Sequence, residues 1–134
     1  MSTATTTPRR VRPGAVVLWV TQVVLAAMFV MASLPKLTGD PVMVELFDAV
    51  GAGQWLRYVV GVLELAGAIG LLVARLCGLA ALGLTMLLVG ATLTNIVALG
   101  ASPAIPLGYL LVAAVIAWFR RESILAAMRG LVRR

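Results

Sequence analysis

The chain has no histidine, a single cysteine and only five acidic residues among its 134. Each shortage removes a class of chemistry. Without imidazole there is no histidine general base and no usual axial ligand for haem. One thiol, Cys77, forms neither a dithiol pair nor a thiolate cluster, and at the start of an apolar run it reads as a small packing residue. No phosphate loop, nucleophile elbow or metal-ligand spacing occurs, so no metal and no redox cofactor of the chain's own is expected.

Charge is scarce as well. Charged residues make up 12% of the chain and hydrophobic ones 62%, with a mean hydropathy of +1.07. That leaves too little polar surface to coat a soluble globule of this size, and the composition predicts a membrane protein. No residue from Pro13 to Pro35 is charged, nor any from Leu76 to Phe119. The second stretch is nearly twice the length needed to cross a hydrocarbon core of roughly 30 Å. Two spans share it, separated at "LGASPAIPLG", where Gly100, Ser102, Pro103 and Pro106 end one helix and open the next.

The reading is an all-α membrane protein, a bundle of four transmembrane helices with spans near 15–34, 58–74, 77–99 and 106–119. Under four spans, Arg9, Arg10, Arg12, Arg75, Arg120, Arg121, Arg129, Arg133 and Arg134 fall on one side, and Lys36 and Arg57 on the other. Basic flanks are retained in the cytoplasm, so both termini are predicted cytoplasmic in a multi-pass protein of the cell membrane. Residues 1–14 then form a disordered basic N-terminus, 15–119 the membrane domain and 120–134 a basic cytoplasmic tail. "PRRVRPG" resembles a signal-peptide start, but the apolar run after it is too long and further spans follow. The basic residues lie at helix ends facing lipid headgroups, so a nucleic-acid partner is not expected.

Between the first two spans, "SLPKLTGDPVMVELFDAVGAGQW" encodes a short helix. Asp40 before Pro41 reads as an N-cap with proline at the first helical position, and Gly51 as the stop. Met43, Leu46, Phe47 and Val50 share one face while Glu45 and Asp48 fall elsewhere, the pattern of an interfacial helix folded onto the bundle mouth.

The segment from Ala32 to Val73 resembles the DoxX family of small four-helix bacterial membrane proteins. In that family a Lys-Leu pair ends the first span, an aromatic-containing segment follows, and the second span carries glycines and a glutamate. Here these are Lys36 and Leu37, Phe47, Gly51, and the series Gly61, Glu64 and Gly67. The resemblance implies a subunit of a membrane redox system, since relatives include parts of a thiosulfate:quinone oxidoreductase and of complexes linked to oxidative stress. It also reaches toward assembly and transport-linked proteins. Quinone is the one cofactor it suggests.

Glu64 is the candidate site. A charge at mid-span costs on the order of 2.5 to 3.5 kcal/mol on insertion scales, so the carboxylate is expected to face inward with a partner. Lys36 and Arg57 are the candidate cations. Gly61 and Gly67 are expected to leave room around the acid, and Thr92, Asn95 and Tyr109 to line a polar pocket with it if their faces converge. Glu64 then reads as a structural anchor, as a proton-transfer or ligand-binding group, or as a subunit contact. Three function classes follow: an accessory subunit of a redox complex, a small intramembrane enzyme acting on a lipophilic molecule with Glu64 as general acid or base, and an assembly factor or carrier. The chain itself does not decide whether it is an enzyme. The bilayer and either a protein partner or further copies of the chain are the expected partners, with a lipophilic small molecule as a further one.

Overall fold

The computed structural model describes residues 12–133. Arg9, Arg10, Arg134 and the expected disorder of residues 1–11 lie outside the described residues. Among those described, the secondary structure is entirely helical: α1 (Pro13–Thr38), α2 (Pro41–Val50), α3 (Gln54–Leu72), α4 (Cys77–Val97), α5 (Ala104–Phe119) and α6 (Arg121–Val132). The helices α1, α3 and α4 are long and apolar enough to cross a membrane. Helix α5 is apolar but spans 16 residues, short of the roughly 20 that a perpendicular crossing takes.

Helix α1 packs mainly on α3, α3 on α4, and α4 on α5, with a lighter contact of α1 with α5. The shared core holds Leu25, Phe29, Leu71, Leu84, Leu88 and Ile116, with Ala26, Ala68, Ala81 and Ala113 between them. Small residues set the spacing, because in lipid close backbone approach replaces the hydrophobic drive. A methyl group on Gly70 would lie 2.8 Å from the Ala80 Cβ, so α3 and α4 run nearly in backbone contact there.

Helix α2 forms where its caps predict. Asp40 accepts a hydrogen bond from the Val42 N–H, and Gly51 takes the left-handed conformation at φ 79° that favours glycine. Phe47 is buried, Met43, Leu46 and Val50 are half-buried, and Glu45 and Asp48 are exposed.

Several boundaries differ from expectation. Helix α1 begins at Pro13, and so includes two residues assigned to the disordered terminus. It continues through Pro35 to Thr38 rather than stopping at Leu34, and Gly39 closes it at φ 77° with its N–H on the Pro35 carbonyl. Helix α3 starts at Gln54 rather than Tyr58, α4 ends at Val97 rather than Leu99, and α5 starts at Ala104 rather than Pro106. The largest difference is α6. Residues 120–134 were expected as a tail, yet 121–132 are helical and pack on the start of α4, where Gly78 makes room. A Cβ on Gly78 would lie 2.8 Å from both the Arg120 carbonyl and the Ile124 Cγ1.

Candidate functional site

Lys36 and Glu64 form an ion pair between α1 and α3. Lys36 occupies the last turn of α1 just after Pro35, whose ring removes one helical N–H. Its side chain curls back one turn and donates from Nζ to the Ala32 carbonyl at 3.0 Å. That course takes the ammonium toward the core instead of outward, and Nζ comes to 3.0 Å from Glu64 Oε2. Only 14% and 11% of the two side chains is exposed. The contact is one of charge at close range: Oε2 is fully buried and has no other partner among the described residues.

Glycine 61 explains the proximity. A Cβ there would lie 3.0 Å from Leu37 Cγ and 3.2 Å from Lys36 Cβ, so glycine lets α1 come this close, one turn before Glu64, without displacing those side chains. Gly67 does something else. It faces α4, where a Cβ would lie 2.5 Å from Leu84 Cδ2, so it serves the α3–α4 contact and does not clear space for the acid.

Arg57 is buried but does not pair with Glu64. Its Nη1 donates to the Lys36 carbonyl, one of the last carbonyls of α1 left without a helical partner, and its Nε donates to Gln54 Oε1 at 2.7 Å. The Gln54 amide in turn donates to the Val44 carbonyl at 2.9 Å and to Asp48 Oδ1 at 2.7 Å. A continuous polar chain thus runs from α2 through Gln54 and Arg57 to the end of α1, where Lys36 carries it to Glu64.

The remaining candidates serve other contacts. Thr92 Oγ1 donates to the Leu88 carbonyl of its own helix at 2.7 Å. Asn95 Nδ2 donates to the Ser102 carbonyl at 3.2 Å and braces the α4–α5 turn. The Tyr109 ring lies 5.7 Å from that of Phe29 in a tilted stack. None of the three makes a hydrogen bond to Glu64, because threonine and asparagine in a helix satisfy themselves on nearby carbonyls first.

Residues 20–120 match the model of the DoxX-like family. The chain belongs to this family. No curated protein and no solved structure matched it. The matched range contains every residue of the Lys36 to Glu64 network and ends at the residue before α6.

A second polar cluster, at the opposite end of the DoxX-like core, was only partly legible. Gln22, in the first half of α1, is fully buried. Its Nε2 donates to the Leu71 carbonyl at 2.8 Å, and its Oε1 accepts from Arg120 Nε at 3.0 Å. Arg120 also lies over the Trp19 ring, 5.4 Å from its centroid, and its Nη2 is buried without a hydrogen-bond partner among the described residues. The hint was a glutamine inside an uncharged span. Cys77, close by in sequence at the start of α4, is buried and donates to the Ala74 carbonyl at 3.3 Å. Among the described residues no three His, Cys, Asp or Glu side chains gather as a metal site.

Two cavities open beside the core. One of about 530 Å³ lies between α1 and α5 and is lined by Val24, Leu25, Met28, Gly108, Tyr109 and others. The second, about 330 Å³, lies between α3 and α4 around Gly67, Gly70 and Gly83. Both linings are almost wholly apolar, and neither includes Lys36, Arg57 or Glu64.

Proposed function

We propose that the protein is a four-span accessory subunit of a membrane redox system, quinone-linked or tied to oxidative stress, with both termini cytoplasmic. One observation carries the reading: the intramembrane acid is engaged by the chain's own lysine. A general acid or base needs a free face toward its substrate, whereas Glu64 Oε2 is buried against Lys36 Nζ at 3.0 Å. The pair joins α1 to α3 and the Gln54–Arg57 chain joins both to α2, so the polar residues supply rigidity and a fixed outer surface. Catalytic groups come from a partner. The four-helix bundle of the reading counts α5, which crosses with the help of the polar residues at its ends.

A quinone suits the cavity between α1 and α5 better than the ion-paired site. The walls are apolar, and Tyr109, which is among them, would offer its hydroxyl to a ring oxygen. Bound there, a quinone would supply electron-acceptor chemistry, while this chain contributes an apolar berth and one donor.

Purification of the tagged chain in mild detergent tests the reading. A cofactor-bearing redox protein is expected to copurify, and its quinone reductase activity to fall when the chain is deleted and to survive Glu64→Gln in part. Turnover of a lipophilic substrate by the isolated chain, abolished by Glu64→Gln, would overturn it in favour of the intramembrane enzyme.

A further inference from the structure

Helix α6 carries an apolar stripe that nothing among the described residues covers. Its half-buried residues, Ser123, Ile124 and Ala127, mark the face packed on α4 at Gly78. Next to that face, at 3.6 residues per turn, come Leu125, Met128, Leu131 and Val132, which are 50%, 53%, 71% and 86% exposed. Arg129 and Arg133 border the stripe on its far side, and Arg121 stands at its start. Glu122 is the helix's single acid.

The height of α6 follows from what precedes it. Trp118 and Phe119 end α5 and are 66% and 67% exposed, and aromatic side chains at a span end settle at the headgroup level. Arg121 donates to the Trp118 carbonyl and its guanidinium lies 4.9 Å from the Trp118 ring centroid, so the first turn of α6 is held at that level. Arg75, in the turn between α3 and α4, belongs to the same end. An apolar stripe continuous with the lipid-facing belt and edged with arginine fits a surface that is apolar below and anionic above.

We infer that α6 is an interfacial helix that binds the anionic headgroups of its own leaflet, with Leu125, Met128 and Leu131 entering the acyl boundary and Arg121, Arg129 and Arg133 engaging lipid phosphates. Gly78 fixes it beside α4, so headgroup binding bears directly on the α3–α4 end of the core. The inference rests on the chain being membrane-embedded and not on the redox reading, which would stand if it failed.

The test places the full chain in nanodiscs of phosphatidylcholine alone or with one third phosphatidylglycerol. Amide exchange over residues 121–132 is expected to slow several-fold in the anionic discs, with exchange in α3 unchanged. The gain is expected to shrink in high salt and to vanish in the double variant Arg129→Gln/Arg133→Gln. A fluorophore on Met128→Cys, with native Cys77 buried and unlabelled, is expected to be quenched by lipids brominated near the headgroup. Equal exchange in both lipids, or quenching at 128 by aqueous iodide alone, would overturn the inference. So would efficient cross-linking between copies through residue 128, which would mean that a second copy covers the stripe.

Discussion

Arg120 and Gln22, 98 positions apart, are joined by a hydrogen bond of 3.0 Å that brings the end of α5 to the first half of α1. Gln22 passes the connection on to the Leu71 carbonyl, one of the last of α3. The Lys36 end has a matching arrangement, with Arg57 of α3 on a terminal carbonyl of α1. Each of the two helices therefore supplies the side chain that satisfies the other's C-terminus, where unpaired carbonyls and the helix dipole favour a donor or a positive charge.

Substituting Gln22→Leu keeps the volume and removes both bonds, leaving the Leu71 carbonyl and Arg120 Nε without their partner. An unmet buried polar group costs about 1–3 kcal/mol. Thermal unfolding in detergent is expected to move down accordingly, and Gln22→Glu, which keeps an acceptor for Arg120, to lose less. Equal stability of Gln22→Leu and the native chain would show that water replaces the glutamine.

For the ion pair, the single change Lys36→Met strands a buried carboxylate and is expected to cost about 3–5 kcal/mol. Combining it with Glu64→Gln is expected to recover most of that loss, since both charges are then gone. A double-mutant cycle in detergent measures the coupling. Strict additivity of the two changes would mean that the pair does not interact.

Gly70→Ala sets a Cβ against that of Ala80, which has no rotamer through which to escape, so the α3–α4 backbones must part. Overpacking of this kind costs about 1–3 kcal/mol. Gly83→Ala is the control, because a Cβ there meets nothing within 4 Å. Melting of the two variants side by side is expected to separate them, and equal destabilisation would refute the close contact.

Cysteine labelling in spheroplasts reads the topology. Impermeant maleimide is expected to react from outside with Thr38→Cys and Asp40→Cys and not with Arg133→Cys. Native Cys77 adds no background because it is 1% exposed. Outside labelling of Arg133→Cys would invert the proposed orientation.

Local chemistry made much of the fold readable. The caps of α2 are written into Asp40, Pro41 and Gly51, and three apolar runs declare α1, α3 and α4. The end of α1 was read too early, near Leu34: the helix runs on through Pro35 to Thr38, because a proline near a helix end loses only one bond, and the Lys36 side chain returns to the Ala32 carbonyl nearby. Helix α6 was hidden because arginines interrupt its apolar positions, and what holds it is Gly78, far away in sequence. At the site, the acid and its candidate cations were visible in Glu64, Lys36 and Arg57. Which cation pairs was not, because Arg57 is diverted by a backbone carbonyl that no spacing rule reveals. Thr92 and Asn95 had nearby carbonyls to satisfy, and so never needed to converge on the acid.

The Lys36–Glu64 contact also bears on how the chain is made. Helix α1 is synthesised before α3, so for a time its lysine has no acid to meet and extends toward the headgroups, as a long cationic side chain near a helix end does. When α3 arrives it brings Glu64, a charge that by itself resists entry. Together the two are neutral, and the lysine can fold back along its own helix. The first helix is thus expected to take its final depth only when the third is beside it, and a chain truncated before Glu64 to leave Lys36 without its acid.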